Sequence, residues 1–445
     1  MASTRPATEA DFNAPSRCIV FKVDIYFSGL NEDPMTIDNT NYLIDVDLLE
    51  EASADSNKPF GDVSANEVSF SMYNPEGLFS PTNAGSSLYG KIKVGVPLKV
   101  YMKPVYDDEE VDWEPMGLFY VSDWTAAITG ITAEVTAYDN LYNIFERAQV
   151  KLPVMADTTM GEYARLFFEY LGESAMIDSR LTEGLVYGYT TRDNQKFLNE
   201  LSIGAQAYTF CGRDGVPQVL YARGPQEIKH TLTDGDQIVD ISSQQSATFK
   251  YDGATVIMNA PQESDVSTLL SIKQIGIEDG TYESLDTAFS KTPVIKVTSA
   301  QFSGQYDIKL DWLSATSVDV SYGIKSKVYS AQTRAEFTGT FVDVVSTSYS
   351  DEGDSLLKVD NTFVQTPEYA EKFKRLLNAY VENTVPILEL EIRGSALYRL
   401  GEKIHVVSDK YNVDFTGLLI RQQFKYDGGL SCRITLINSN IMEVT

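Results

Sequence analysis

The sequence predicts a β-rich α+β fold: two small β-barrels, a small helix-hairpin α/β domain between them, and an inserted β domain. Three observations carry this. Apolar and polar residues alternate in two separated regions, before residue 148 and again after residue 228. A period of two marks strands with one buried face. Between the two regions the apolar spacing becomes helical. Aromatic residues make up 11% of the chain, with 26 Tyr and 21 Phe, which suits strands. At 445 residues the chain has room for two to four domains of roughly 100–200 residues each.

Residues 1–17 are polar and read as a flexible N-terminal arm, without the apolar stretch of a secretory signal. The first barrel spans 18–148. It opens with Ile19, Phe21, Val23 and Ile25 on one face of Cys18–Phe27. A second strand covers Tyr42–Leu48, and Leu49–Phe60 reads as a polar loop. Val68, Phe70 and Met72 alternate up to the turn Asn74-Pro75-Glu76-Gly77, where Pro lacks a ladder donor and Gly accepts positive φ. Phe79 and Tyr89 bracket a Ser/Asn/Gly loop and are expected to pin it. Strands follow at Pro97–Met102, Gly117–Trp124 and Ile131–Tyr138, the last with Ile131, Ala133, Val135 and Ala137 on one face.

The α/β domain covers 149–227. After a short helix through Leu141, Ile144 and Phe145, Thr159 and Glu162 form a capping pattern for a helix burying Tyr163, Leu166, Phe167, Tyr170 and Leu171. A second helix starts at Asp193 and buries Phe197, Leu198, Leu201 and Ala205. A hairpin through Asp214-Gly215 follows. The second barrel combines 228–261 with 351–445, including short strands at Ala247–Lys250 and Gly253–Met258. Residues 262–350 read as the inserted β domain. Thr366-Pro367 opens the clearest helix, with Tyr369, Phe373, Leu376, Leu377 and Tyr380 buried. Strands at Ile387–Ile392, Lys403–Val407 and Gly417–Phe424 precede a hairpin turning at Asp427-Gly428-Gly429.

Several motifs resemble those of a known family. Asn74, Gly77, Phe79, Pro81 and Asn83 write N-x-x-G-x-F-S-P-x-N, with Pro75 in its turn. Tyr89, Gly95 and Pro97 belong to Y-G-K-I-x-x-G-x-P-L-x-V-Y, and Gly117–Val121 writes G-x-F-Y-V. This resembles the N-terminal barrel of phage tail hub proteins, including contractile-tail baseplate hubs and the hub part of tail-associated lysins. The helix-helix-hairpin order resembles their middle domain. The run around Gly401, with Tyr426, Asp427 and Gly428, resembles their closing barrel. The resemblance covers most of the chain outside the arm and 262–350. It implies two barrels related by pseudo-symmetry and a homotrimer forming a pseudo-sixfold ring. Such a ring adapts a sixfold tail tube to a threefold tip and lets DNA pass during ejection. It further implies partners among tail tube or distal tail proteins and among spike, fibre or tip proteins, and a place in the virion after synthesis in the host cytoplasm.

The residues point away from catalysis. His230 and His405 lie in separate segments, without a metal-binding or triad spacing. Cys18, Cys211 and Cys432 lack paired spacing, so each reads as a buried thiol in a reducing compartment. No catalytic, cofactor or metal residues are assigned, and no cofactor is expected. The acidic loop Asp107–Glu110 reads as a solvated tip; it lacks the spaced ligands of a calcium loop. The chain ends at Thr445, just past the last strand, which is expected to leave no room for a lysin domain. No apolar run of about 18 residues offers a membrane span. Net charge is −27, so phosphate attraction is not expected, and an electronegative ring channel with DNA only in passage is. Two other classes compete: a β-rich carbohydrate-binding adhesin, which would be exported, and a cell-wall hydrolase working through paired carboxylates.

Overall fold

A computed structural model describes residues 5–14, 16–54, 59–106, 109–225, 227–235, 237–243, 251–272, 283–303, 306–324, 334–383 and 386–443. Its centre is a thirteen-stranded sheet. Twelve of these strands are numbered here in chain order. The first six are β1 (Cys18–Ile25), β2 (Leu43–Glu51), β3 (Glu67–Tyr73), β4 (Pro97–Val105), β5 (Glu114–Ala126) and β6 (Thr132–Tyr138). The second six are β7 (Ile228–Thr233), β8 (Ile238–Ser243), β9 (Ile387–Ile392), β10 (Lys403–Ser408), β11 (Val413–Tyr426) and β12 (Leu430–Asn438). The thirteenth, Met35–Asp38, caps the outer edge of β1.

The two halves repeat one strand order. The first runs β1-β4-β5-β6-β3-β2 and the second β7-β10-β11-β12-β9-β8. Every neighbouring pair is antiparallel except β7 with β10. The chain nevertheless departs from two separate closed barrels. Among the described residues no sheet closes on itself, and the halves are joined by β2 pairing antiparallel with the end of β11. Alternation in a sequence reports that a strand has one buried face. It does not report which strand lies beside it, and a strand edge is open to any neighbour.

The described residues include five helices: α1 (Glu9–Asn13), α2 (Asn140–Glu146), α3 (Met160–Tyr170), α4 (Asn194–Gly204) and α5 (Pro367–Glu382). Asp139, Thr159, Asp193 and Thr366 cap α2 to α5, each accepting a hydrogen bond from a first-turn N–H. The expected buried stripe of α3 is rotated: Met160, Tyr163, Ala164, Phe167 and Phe168 are inside, while Tyr170 is exposed. The α5 stripe is buried as expected, because Tyr369, Phe373, Leu376, Leu377 and Tyr380 recur on one face. The hairpin Ala207–Cys211 with Pro217–Tyr221 gains a third, parallel strand at Met176–Ile177.

Other expectations fail locally. The N-terminal arm is docked, not free: α1 buries Phe12 completely. Leu49–Glu51 continue β2 instead of opening a loop, and Glu50 and Glu51 are both buried. Ile131 precedes β6 and is 74% exposed. Cys211 and Cys432 are buried, but Cys18 is exposed. Gly253–Glu263 leaves the second half of the sheet, pairing with Arg334–Ser350 and Leu356–Asp360. These strands belong to a five-stranded sheet apart from the thirteen-stranded one, while Ala254, Val256, Met258 and Leu357 pack into the main core. The outer part of the inserted unit has a small core of its own, from Leu269, Phe289, Val294 and Phe337. The expected strand Ala247–Lys250 lies outside the described residues. So do Asp107 and Asp108 of the acidic loop.

Candidate assembly interface

The sequence motif folds into one clamp at the end of the first half. Asn74 is buried, and its Nδ2 donates to the carbonyls of Ala127 and Gly130, both at 3.2 Å. Its Oδ1 accepts from Phe79 N at 2.8 Å. Pro75 starts a one-turn 3₁₀ helix ending at Gly77. Gly77 has φ +70°, and a Cβ there would stand 2.6 Å from Ile128 O, so the turn needs glycine. Phe79 is buried edge-on against Tyr42, and its carbonyl accepts from Trp124 Nε1 at 2.9 Å. Pro81 continues the loop half-buried. Tyr89 does not pin this loop: it is 56% exposed, and the neighbouring Leu88 is buried instead.

Gly95 and Gly401 occupy matching places in the two halves. Gly95 N donates to Val121 O at 2.7 Å, and Gly401 N to Leu419 O at 2.8 Å. Their φ values are +83° and +81°. Pro97 then begins β4, as Lys403 begins β10. Tyr120 of β5 lies between Pro97 and Tyr138, and Leu418 of β11 between Lys403 and Ile437. One residue later both ladders bulge, between Val121 and Asp123 and between Leu419 and Arg421. A second bulge also matches, between Leu43 and Asp45 in β2 and between Ile238 and Asp240 in β8. Asp427 and Gly428, in the β11–β12 turn, correspond to the β5–β6 turn that the Asn74 clamp grips.

The joint between the halves is built on buried charge. Arg213 donates bidentately to Glu50 at 2.6 Å, with both side chains almost fully buried. Gln422 of β11 donates to the same carboxylate at 2.7 Å, and Arg213 also reaches the carbonyls of Ala396 and Tyr398. Burial, then the charge of Arg213, bring the neighbouring Arg399 down to about 10. Next to it, Asn66 accepts from Glu51 N and donates to Cys211 O, and its own N–H donates to Asp139. Burial pushes the Asp139 carboxyl up to about 7.

The N-terminal segment straps the halves together elsewhere. Arg5 pairs with Asp11 and Glu109 and makes a parallel bridge to Val111 in the β4–β5 loop. At the other end His230 of β7 sits between Glu9 of α1, on Nδ1, and Glu402, on Nε2 at 2.9 Å. Tyr398 packs edge-on against the imidazole. Burial opposes a charge on His230, but its hydrogen bonds to Glu402 and Glu9 outweigh this and raise its pKa. Burial likewise works to raise Glu402, yet the His230 hydrogen bond holds it below the usual carboxylate range. His405 makes a separate, exposed contact with Asp414.

Among the strand edges unpaired in the described residues, two matter for the repeat. Beyond Val121, the β4-side edge of β5 over Asp123–Ala126 meets no strand. The edge of β8 away from β9 also meets none. The bulged residues Ile44 and Val239 are both exposed, at 43% and 49%.

Sequence reasoning missed the joint. Glu50 sits in Leu49–Phe60, which reads as a polar loop, and Arg213 lies 163 residues away. Among the described residues no group of three or more His, Cys, Asp or Glu is arranged to hold a metal ion. None of their helices is long and apolar enough to cross a membrane.

No protein-family model matches the chain, and no curated protein matches it in sequence. Solved structures do match. The 43 kDa tail protein of prophage MuSo2 from Shewanella oneidensis aligns over 95% of this chain and 99% of its own, with TM-score 0.53 and 10% identity. A tail protein from Neisseria meningitidis MC58 aligns over 95% and 97%, with TM-score 0.51 and 10% identity. The chain has the fold of these phage tail proteins.

Proposed function

We propose that this chain is a structural hub of a bacteriophage tail tip or baseplate. Three copies form a ring that presents six similar half-sheets to a sixfold tail tube and three chains to a threefold tip. The observation that carries this reading is the repeated strand order, with its matched glycines and bulges. The halves meet head to tail, β2 of one on β11 of the other, not face to face across a twofold axis. A heterologous joint of that kind builds closed rings when it repeats. The fold shared with two phage tail proteins supports the same reading.

The pore of such a ring is electronegative, since each chain carries −27, and DNA passes without adhering. The chain acts without catalysis. Its partners are tail tube or distal tail proteins on one side and spike, fibre or tip proteins on the other, within the virion, after synthesis in the host cytoplasm. Cryo-electron microscopy of assembled tail particles tests this. The expected map has three copies around an acidic channel. A monomer, a hexamer or a channel lined with Lys and Arg overturns it. Zymography of the pure protein on host cell walls is expected to show no clearing.

A further inference from the structure

The inserted unit leaves its longest strand, Arg334–Ser350, covered along only part of its length. Near its start the strand has a neighbour on each side, Ser267–Ile272 and Val294–Ser303. From Val342 to Ser350 its neighbour is Gly253–Glu263, in an antiparallel ladder without a bulge. Among the described residues no strand lies on the other side of 343–350. The parity of the ladder fixes which groups face that open side. Asp351 N donates to Ala254 O at 3.1 Å, toward Gly253–Glu263. Antiparallel pairing alternates, so Tyr349, Thr347, Val345 and Asp343 turn to the same neighbour. Ser350, Ser348, Ser346 and Val344 therefore turn their N–H and carbonyl groups away from it. On that outward side Val342 N donates to Pro293 O at 2.7 Å, where the covering strand ends. Val344 N is met by the carboxylate of Asp343 at 3.0 Å. Ser346, Ser348 and Ser350 are exposed.

We infer that the edge 343–350 docks an extended segment of another protein, which adds as a strand and carries Lys or Arg at its ends. This surface lies outside the strand repeat, and its use does not depend on a ring. The edge lacks the usual guards against pairing: 343–350 contains no Lys and no Pro. An added strand supplies acceptors to the outward N–H groups and donors to the outward carbonyls. Val344 and Val345, 38% and 51% exposed, offer it an apolar contact on each face. Charge selects the occupant. Asp343 stands at one end of the edge, where the nearby Lys296 is held by Glu263 at 2.7 Å. At the other end Asp351 is followed by the exposed Glu352 and Asp354, with Lys374 on Asp351 at 3.1 Å. A second copy lying antiparallel along the whole edge sets Asp343 opposite Asp351 at both ends, and like charges directly opposed destabilise a strand pair. A segment with basic ends meets carboxylates there instead.

The test uses the full chain and a synthetic peptide of about ten residues, with Val and Thr alternating between two terminal Lys. Amide-resolved hydrogen exchange over 343–350 is compared with and without the peptide. Slowed exchange at the outward amides of Ser346, Ser348 and Ser350 is the expected result, with little change at Val345, Thr347 and Tyr349, which already face the ladder. The same peptide methylated at every backbone nitrogen, or ending in Glu in place of Lys, is expected to bind at least about tenfold more weakly. Ser346→Pro removes one outward N–H and leaves the inner ladder whole. It is expected to keep the unfolding midpoint of the parent and to weaken the peptide about tenfold. Val345→Lys, which places a guard on a half-exposed side chain, is expected to weaken the peptide in the same way. A peptide that slows none of the outward amides overturns the proposal, as does equal binding by the methylated or the Glu-ended peptide. Full binding to both variants overturns it too. Slowing at the same amides that grows with protein concentration and needs no peptide assigns the edge to a second copy, and so overturns the proposed occupant.

Discussion

The two halves of the sheet share a strand order, two bulges and one left-handed glycine, but they end differently. In the second half the far end of β11 is covered by β2 and Tyr426 is buried. In the first half the corresponding end of β5 is open and Ile128 is exposed. The connections differ too. β2 reaches β3 through residues 52–66. β8 reaches β9 through the inserted unit and α5. The shared features are those the backbone needs to turn and bulge in one place. The divergent ones concern what lies next to each half, so the difference maps neighbours rather than fold.

The largest effect is expected where the halves are locked. Arg213→Ala leaves the Glu50 carboxylate buried without its guanidinium, and is expected to cost about 3–5 kcal/mol in denaturant unfolding. The paired replacement Arg213→Met with Glu50→Leu is expected to recover much of that loss. If Arg213→Ala unfolds like the parent, the joint is not what unites the halves.

Next comes the contrast between matched positions. Tyr426→Ala is expected to cost about 3 kcal/mol, since it empties a buried ring site against Phe21. Ile128→Ala is expected to stay within about 0.5 kcal/mol in the isolated chain. Equal losses by thermal unfolding would erase the asymmetry described above.

The glycines sharpen the comparison further. Gly95→Ala and Gly401→Ala both force an L-residue to positive φ, at about 1–2 kcal/mol. At Gly95 a new Cβ meets nothing within 4 Å, whereas at Gly401 it would stand 2.4 Å from Leu220 Cδ2. Gly401→Ala is therefore expected to be the more damaging of the two, read as a difference in unfolding midpoint.

The smallest effect concerns the strap, which has no counterpart in the strand repeat. His230 is raised above 6.5, so its contribution is complete below about that pH and is lost as pH rises through the higher folded value. Glu402 is lowered from 4.5, so its contribution is present above that value and is lost as pH falls through the depressed one. The strap is thus tightest in mildly acidic solution and loosens on either side, by about 1 kcal/mol after allowing for the partly exposed Glu9. Hydrogen exchange at residues 5–14 against pH is the measurement. His230→Gln is expected to remove the alkaline limb, and a limb that persists would assign the dependence to another group.

The sequence by itself determined the β-rich class, most strands of both halves, the capped helices and the Asn74 turn. These depend on neighbours within a few residues: period-two burial, a capping side chain, a Pro that cannot donate, a Gly that accepts positive φ. The repeat was also partly written there, since Leu43-Ile44-Asp45-Val46 and Ile238-Val239-Asp240-Ile241 place the same residue types around matching bulges. Only the tertiary structure decided that β2 crosses to β11, that Gly253–Glu263 leaves the sheet, that α1 docks, and that Glu50 is buried with Arg213. Each of these depends on which distant edge, or which opposite charge, meets a given strand. A strand edge offers the same amide and carbonyl groups to any partner, and a carboxylate pays its desolvation only where a cation from elsewhere in the chain arrives beside it. Local pattern carries no record of either meeting.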